Sequence, residues 1–130
     1  NIARDVIEDK NMGRQYINHD FESIIKTIKL ADVFYNSSFG AIKSIPLKYR
    51  FSIVVARRVY REIGYKIIKL KNLENYNNSG KIYISTFEKV IQTILSISDL
   101  IKISFTKVEN HKLKKEHGII MEKINLDERI

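Results

Sequence analysis

Apolar residues recur along this chain mostly at the spacing of a helix. Over residues 46–71, Ile53, Ala56, Val59, Tyr60, Ile63 and Ile67 follow the i, i+3, i+4, i+7 rule and predict one long helix with a single apolar stripe. Arg57, Arg58, Arg61 and Lys66 fall on its flanks, and Pro46 suits its first turn, where no N–H is needed. Upstream, Phe21, Ile24, Ile25, Ile28, Val33 and Phe34 predict a helix over 20–44, with Asp20 as N-cap and a weak point at Gly40. Ser85-Thr86-Phe87-Glu88 matches a capping box and starts a helix expected to reach Phe105. Residues 1–9 read as a further helix that stops near Gly13, with a loop over 10–18. Residues 73–81, rich in Asn and holding Ser79-Gly80, read as a loop, and residues 82–84 as a short extended piece.

Composition agrees with an all-α fold. One Pro and five Gly in 130 residues leave few breakers for a strand-and-turn architecture. With no Cys there is neither a disulfide framework nor thiolate chemistry, which fits a reducing cytoplasm. No run of about 18 apolar residues is present, so no membrane-spanning helix is expected. Even residues 90–105 are interrupted by Gln92, Asp99 and Lys102. The net charge of +8 is compatible with nucleic acid, an anionic membrane or a phosphorylated substrate. The basic residues are spread through every segment, as on a solvated outer face. A basic helical module acting through its charged tail stays a remote alternative, and no nucleic acid is expected as partner. Residues 1–106 read as one unit and 107–130 as a charged tail.

The chemistry gathers at the start of the chain, in Asn1-Ile2-Ala3-Arg4-Asp5-Val6-Ile7-Glu8-Asp9. On a helix Asn1, Asp5 and Asp9 stack in one polar column, with Arg4 and Glu8 in a second beside it. Two carboxylates a turn apart repel, and a divalent cation reverses the sign of that interaction. Mg²⁺ takes oxygen ligands and commonly binds through one or two carboxylates plus substrate phosphates. An Arg beside them offers a two-pronged fork to the same phosphate. The column therefore reads as half of a metal–diphosphate clamp. Glu8 is placed either behind the metal ligands or in an ion pair with Arg4. His19, His111 and His117 lack metal-ligand spacing.

Followed by Gly13-Arg14-Gln15-Tyr16, this segment resembles the second aspartate-rich motif of the squalene/phytoene synthase family, N-I-x-R-D-x-x-E-D and then G-R-x-Y. Residues 45–50 and 56–64, from Ile45-Pro46-Leu47 to Glu62-Ile63-Gly64, look like the helix near the C-terminal end of bacterial phytoene synthases. The resemblance implies the C-terminal part of an isoprenoid-synthase helical bundle. It implies Asn1, Asp5 and Asp9 as metal ligands, for Mg²⁺ or alternatively Mn²⁺, and Asp5, Asp9 and Arg4 as catalytic residues. Asn1, Arg4, Arg14 and Tyr60 would bind substrate, with Arg14 alternatively anchoring its loop. Gly64 is expected to allow close helix approach. The implied reaction joins two geranylgeranyl diphosphates head to head, through a cyclopropyl diphosphate, to phytoene in carotenoid biosynthesis. Squalene or presqualene diphosphate synthesis from farnesyl diphosphate is the alternative.

Lipid substrates imply work in the cytoplasm at the membrane periphery. With its motif at residue 1, the chain reads as a fragment, inactive alone, whose missing N-terminal half would carry the first aspartate-rich motif. Between Tyr16 and Ala31 the chain is also shorter than the family pattern.

Overall fold

The computed structural model describes residues 1–107. Every regular element among them is a helix: α1 (Val6–Asn11), α2 (Phe21–Ser37), a 3₁₀ turn (Gly40–Ser44), α3 (Leu47–Lys69), α4 (Leu73–Asn78) and α5 (Thr86–Phe105). The all-α expectation holds. Beyond Lys107, the charged tail expected over 107–130 lies outside the described residues.

Local capping chemistry sets the starts of the helices. The Asp20 carboxylate accepts from the Ser23 N–H at 2.7 Å and opens α2. At α5 the Ser85 hydroxyl accepts the Glu88 N–H at 3.2 Å, and the Glu88 carboxylate accepts the Ser85 N–H at 2.8 Å. This is the capping box that the sequence predicts. Pro46 stands one residue ahead of α3 as its N-cap, where its fixed φ of −53° costs no backbone bond.

Three expectations are corrected. α2 ends at Ser37 instead of running to 44, because the hydroxyls of Ser37 and Ser38 both bond to the Phe34 carbonyl, at 3.1 and 2.7 Å. Such hydroxyls compete with the helical ladder. Residues 73–78 form α4 and not a loop: the Asn72 side chain accepts the Asn75 N–H at 2.8 Å, and Tyr76 is buried beneath. Regular helix begins at Val6, not at Asn1. Asp5 caps it with φ −104° and ψ 15°, outside helical values. The i→i−4 bonding nonetheless runs through that turn, from Asp5 N–H to Asn1 O at 2.9 Å and from Asp9 N–H to Asp5 O at 2.8 Å.

Two cores hold these elements. Val6, Ile24, Ile67 and Tyr76 form one, joining α1, α2, α3 and α4. Ile42, Val54 and Ile103 form the other, joining the 3₁₀ turn, α3 and α5. Helices α3 and α5 run antiparallel: Lys66 bonds to Glu88 at 2.7 Å at one end, and Arg58 to Asp99 at 2.7 Å further along. Asp99 is buried, and with Arg57 and Lys102 also within 3.9 Å its charge is matched. Where α2 meets α3, a Cβ on Gly64 would lie 3.0 Å from Ile28 Cγ2. A side chain there would need Ile28 to give by a few tenths of an ångström, the close helix approach expected at Gly64.

Candidate active site

The turn that carries the opening motif is pinned from beneath. The Tyr76 hydroxyl, on α4, lies 3.1 Å from the Ala3 carbonyl and 3.0 Å from that of Arg4, donating to them. Apolar Ala3, Val6 and Ile7 pack onto the same core and turn the neighbouring polar side chains outward. At the other end of α1, Gly13 adopts φ 71°, which lets the Arg14 N–H reach back to the Asp9 carbonyl at 2.8 Å and close the helix.

Above this base lies a cluster of alternating charge. Arg4 grips its neighbour Asp5 with both prongs, Nε to Oδ1 at 2.8 Å and Nη2 to Oδ2 at 2.9 Å. That bond holds the Asp5 carboxyl below the usual carboxylate range and raises Arg4. Lys81 arrives from the segment after α4, following Gly80 at φ 63°. Its Nζ lies 3.7 Å from Asp5 and donates to Glu8, whose hydrogen bond raises the lysine. Arg14 reaches Asp9 at 3.1 Å and Met12 Sδ at 2.9 Å. Glu8 therefore pairs with Lys81 and not with Arg4, and Arg14 anchors its own loop. Every carboxylate of the motif has a cation against it.

The motif residues do not all face one space. Asn1, Arg4 and Tyr60 line a cavity of about 210 Å³ between the opening turn, α2 and α3, walled by apolar side chains such as Ile28, Ala31 and Ile63. Asp5 borders a second space with Glu8, Tyr76 and Lys81, and Asp9 a third with Arg14 and Tyr16. The polar column expected of Asn1, Asp5 and Asp9 keeps its backbone ladder, while its side chains diverge toward different cations.

Carboxylate oxygens are the donors that Mg²⁺ takes when phosphate oxygens complete its shell, but Asp5 and Asp9 border different spaces here, and each would have to leave its own cation to share one ion. Among the described residues no three His, Cys, Asp or Glu side chains converge as a cation site. Substrate oxygens would have to finish the shell.

Several residues at the site are not evident from sequence. Lys81 is one. At the cavity rim, Arg61 bonds to Asp32 at 2.6 and 3.1 Å and to the Tyr65 hydroxyl at 2.8 Å, so this flank arginine is braced, not merely solvated. Beside it Tyr35 lines the cavity, and burial pushes its phenol up. Arg57 holds the Tyr35 carbonyl at 3.0 Å and stacks over Phe39. Of the histidines, His19 meets the Asn77 side chain at 3.0 Å, while His111 and His117 lie outside the described residues.

No protein-family model matches the chain, and no solved structure matches it. Curated proteins do. The 15-cis-phytoene synthase of Paracoccus sp. (strain N81106 / MBIC 01143) is 31% identical over 87 residues, covering 53% of this chain and 29% of that protein. Those of Enterobacter agglomerans and Pantoea ananas are each 28% identical, over 90 and 88 residues, covering 53% and 52% of this chain and 30% and 28% of their own lengths. The matches thus span under a third of each relative's length. Over about half of its residues the chain is phytoene synthase-like. The first match is 87 residues long yet takes in 53% of the 130 here, about 69, so this chain is shorter than its relative within the match.

Proposed function

We propose that this phytoene synthase-like chain supplies the diphosphate-handling wall of a Mg²⁺-dependent prenyltransferase that joins two geranylgeranyl diphosphates head to head into phytoene. One observation carries the reading. Arg4 stands at a boundary, lining the apolar cavity with Asn1 and Tyr60 on one side and the charged space with Asp5, Glu8 and Lys81 on the other. A prenyl diphosphate has the same two-part character, an apolar chain ending in a dense anion.

The difficulty in such a reaction is the charge on departing diphosphate. Arg4 and Lys81 are paired cations that a diphosphate can recruit, and fixed donors aimed at developing charge supply much of the catalytic effect in sites of this kind. Asp5 and Asp9 would hold Mg²⁺, which when bound acts as a Lewis acid on the leaving group. Ile28, Ala31 and Ile63 keep water from the reacting carbons. A carbocation quenched by water gives an alcohol instead of a coupled product. Tyr60 and Tyr35 border that apolar space, where their rings can face positive charge. The opposing acidic wall would come from residues outside this chain.

The test is product analysis on the whole enzyme proposed to carry this chain, supplied in turn with geranylgeranyl and farnesyl diphosphate. Phytoene from the longer donor is expected. A squalene-type product from farnesyl diphosphate alone would overturn the choice of substrate, and release of neither hydrocarbon would overturn the prenyl-transfer reading.

A further inference from the structure

Beside the apolar cavity lies a second one of opposite character, between α2, α3 and α5. Its volume is about 610 Å³, and it shares Arg61 and Tyr65 with the first. Arg57, Arg58, Arg61 and Lys102 line it, against two carboxylates, Glu62 and Asp99. Even with Asp32 set against Arg61 from the other side, positive charge is in excess. Arg4, Asp5 and Asp9 are not among its walls, so the clamp makes no use of that excess.

Arg57 is the most deeply buried cation of the set, 10% exposed. Three contacts fix it. Its Nε donates to the Tyr35 carbonyl at 3.0 Å, its Nη2 to Asn36 Oδ1 at 3.2 Å, and its plane stacks over Phe39. The remaining nitrogen, Nη1, lies 3.9 Å from Asp99, too far for a hydrogen bond. Arg58 Nε already occupies Asp99, at 2.7 Å. Lys102 Nζ also stops at 3.9 Å. One buried carboxylate thus stands among three cations and bonds to one of them. Burial first, and then Arg61 and Arg58, pull the Arg57 guanidinium below its ordinary value, as expected where like charges crowd.

A guanidinium held on three sides, with a nitrogen left over in a cavity, is a preorganised donor for an oxyanion. Phosphate suits it better than a carboxylate does. Its charge is larger, and its tetrahedral oxygens can accept from a planar fork and an ammonium together. We propose that this cavity binds a small phosphate-bearing anion, which accepts from Arg57 and Lys102, the two cations near Asp99 that do not bond to it. This rests on α2, α3 and α5 and stands or falls independently of the prenyl-transfer reading.

The experiment is isothermal titration calorimetry of the intact protein with inorganic phosphate and, separately, inorganic diphosphate. EDTA and low chloride withhold the divalent ions of the clamp and limit competing anions. Saturable binding is expected, to phosphate if one phosphoryl group suffices and to diphosphate alone if a linked pair is needed. Arg57→Gln and Lys102→Gln should each weaken it roughly tenfold or more. The Lys102 side chain is 69% exposed, so its variant keeps the test decisive if Arg57→Gln misfolds. Arg4→Met should leave the affinity unchanged. No saturable binding of either probe would overturn the proposal, as would binding that Lys102→Gln leaves intact. Binding abolished by Arg4→Met would return the anion to the clamp and overturn it equally.

Discussion

The two ends of the molecule place their cations differently. Near the opening motif, Arg4, Arg14 and Lys81 sit on carboxylates. At the far end, Arg50 donates to the carbonyls of Ile45 and Lys43, both at 2.6 Å, and Lys43 to those of Ser104 and Thr106, at 2.9 and 3.0 Å. A cation on a backbone carbonyl satisfies an acceptor near a helix end, and its departure costs that hydrogen bond. A cation on a carboxylate can be exchanged, because an incoming phosphate takes the cation and an incoming metal takes the carboxylate. The far end is built to stay and the near end to exchange.

Core truncation gives the largest expected effect and tests whether the two ends are separately supported. Ile24→Ala and Ile103→Ala each remove a side chain no more than 1% exposed, and each should cost about 2–5 kcal/mol in urea denaturation. Only Ile24→Ala should speed amide exchange in the motif turn, since Ile24 packs with Val6 in the core beneath it. Equal acceleration by both would merge the two regions into one.

Next comes the contrast between arginines. Arg50→Met leaves two carbonyls without their donor and should cost about 1–3 kcal/mol in thermal denaturation. Arg4→Met removes a partly exposed pair and should cost less than about 1 kcal/mol. An equal loss for the two would mean that Arg4 is structural. Tyr76→Phe, which frees the motif turn from its anchor, should cost about 1 kcal/mol by the same measurement.

The smallest effect is on pH. The Lys66 hydrogen bond, with further bonds from the Ser85 N–H and hydroxyl, holds the Glu88 carboxyl down at about 2, against an ordinary value of 4.5. A carboxyl lowered on folding stabilises the fold fully above its unfolded value and loses that contribution as pH falls. Stability at the start of α5 should therefore decline between pH 4.5 and about 2. Glu88→Gln should flatten that decline in acid titrations followed by circular dichroism.

What the sequence discloses tracks how local the cause is. The α5 capping box lies within four residues, and Ser85 and Glu88 make it readable. Helix α4 escapes notice because its Asn-rich composition reads as loop, while Tyr76 is held by a core whose other members are distant in sequence. Lys81 is hidden for the same reason, since Asp5 and Glu8 lie more than 70 positions away. Asn1, Arg4 and Tyr60 are grouped by the family resemblance as substrate-binding, and the fold brings them to one cavity. The divergence of Asp5 and Asp9 is not legible, because it depends on which cation reaches each carboxylate.

The most direct test of an exchangeable clamp is Asp5→Asn in the whole enzyme proposed to carry this chain. Turnover of geranylgeranyl diphosphate would be followed with saturating Mg²⁺, alongside a thermal melt of the same variant. The change keeps the side chain's shape and removes its charge. A fall in kcat of roughly 100-fold or more is expected with little change in Tm. An unchanged rate would take Asp5 out of the site and contradict the clamp.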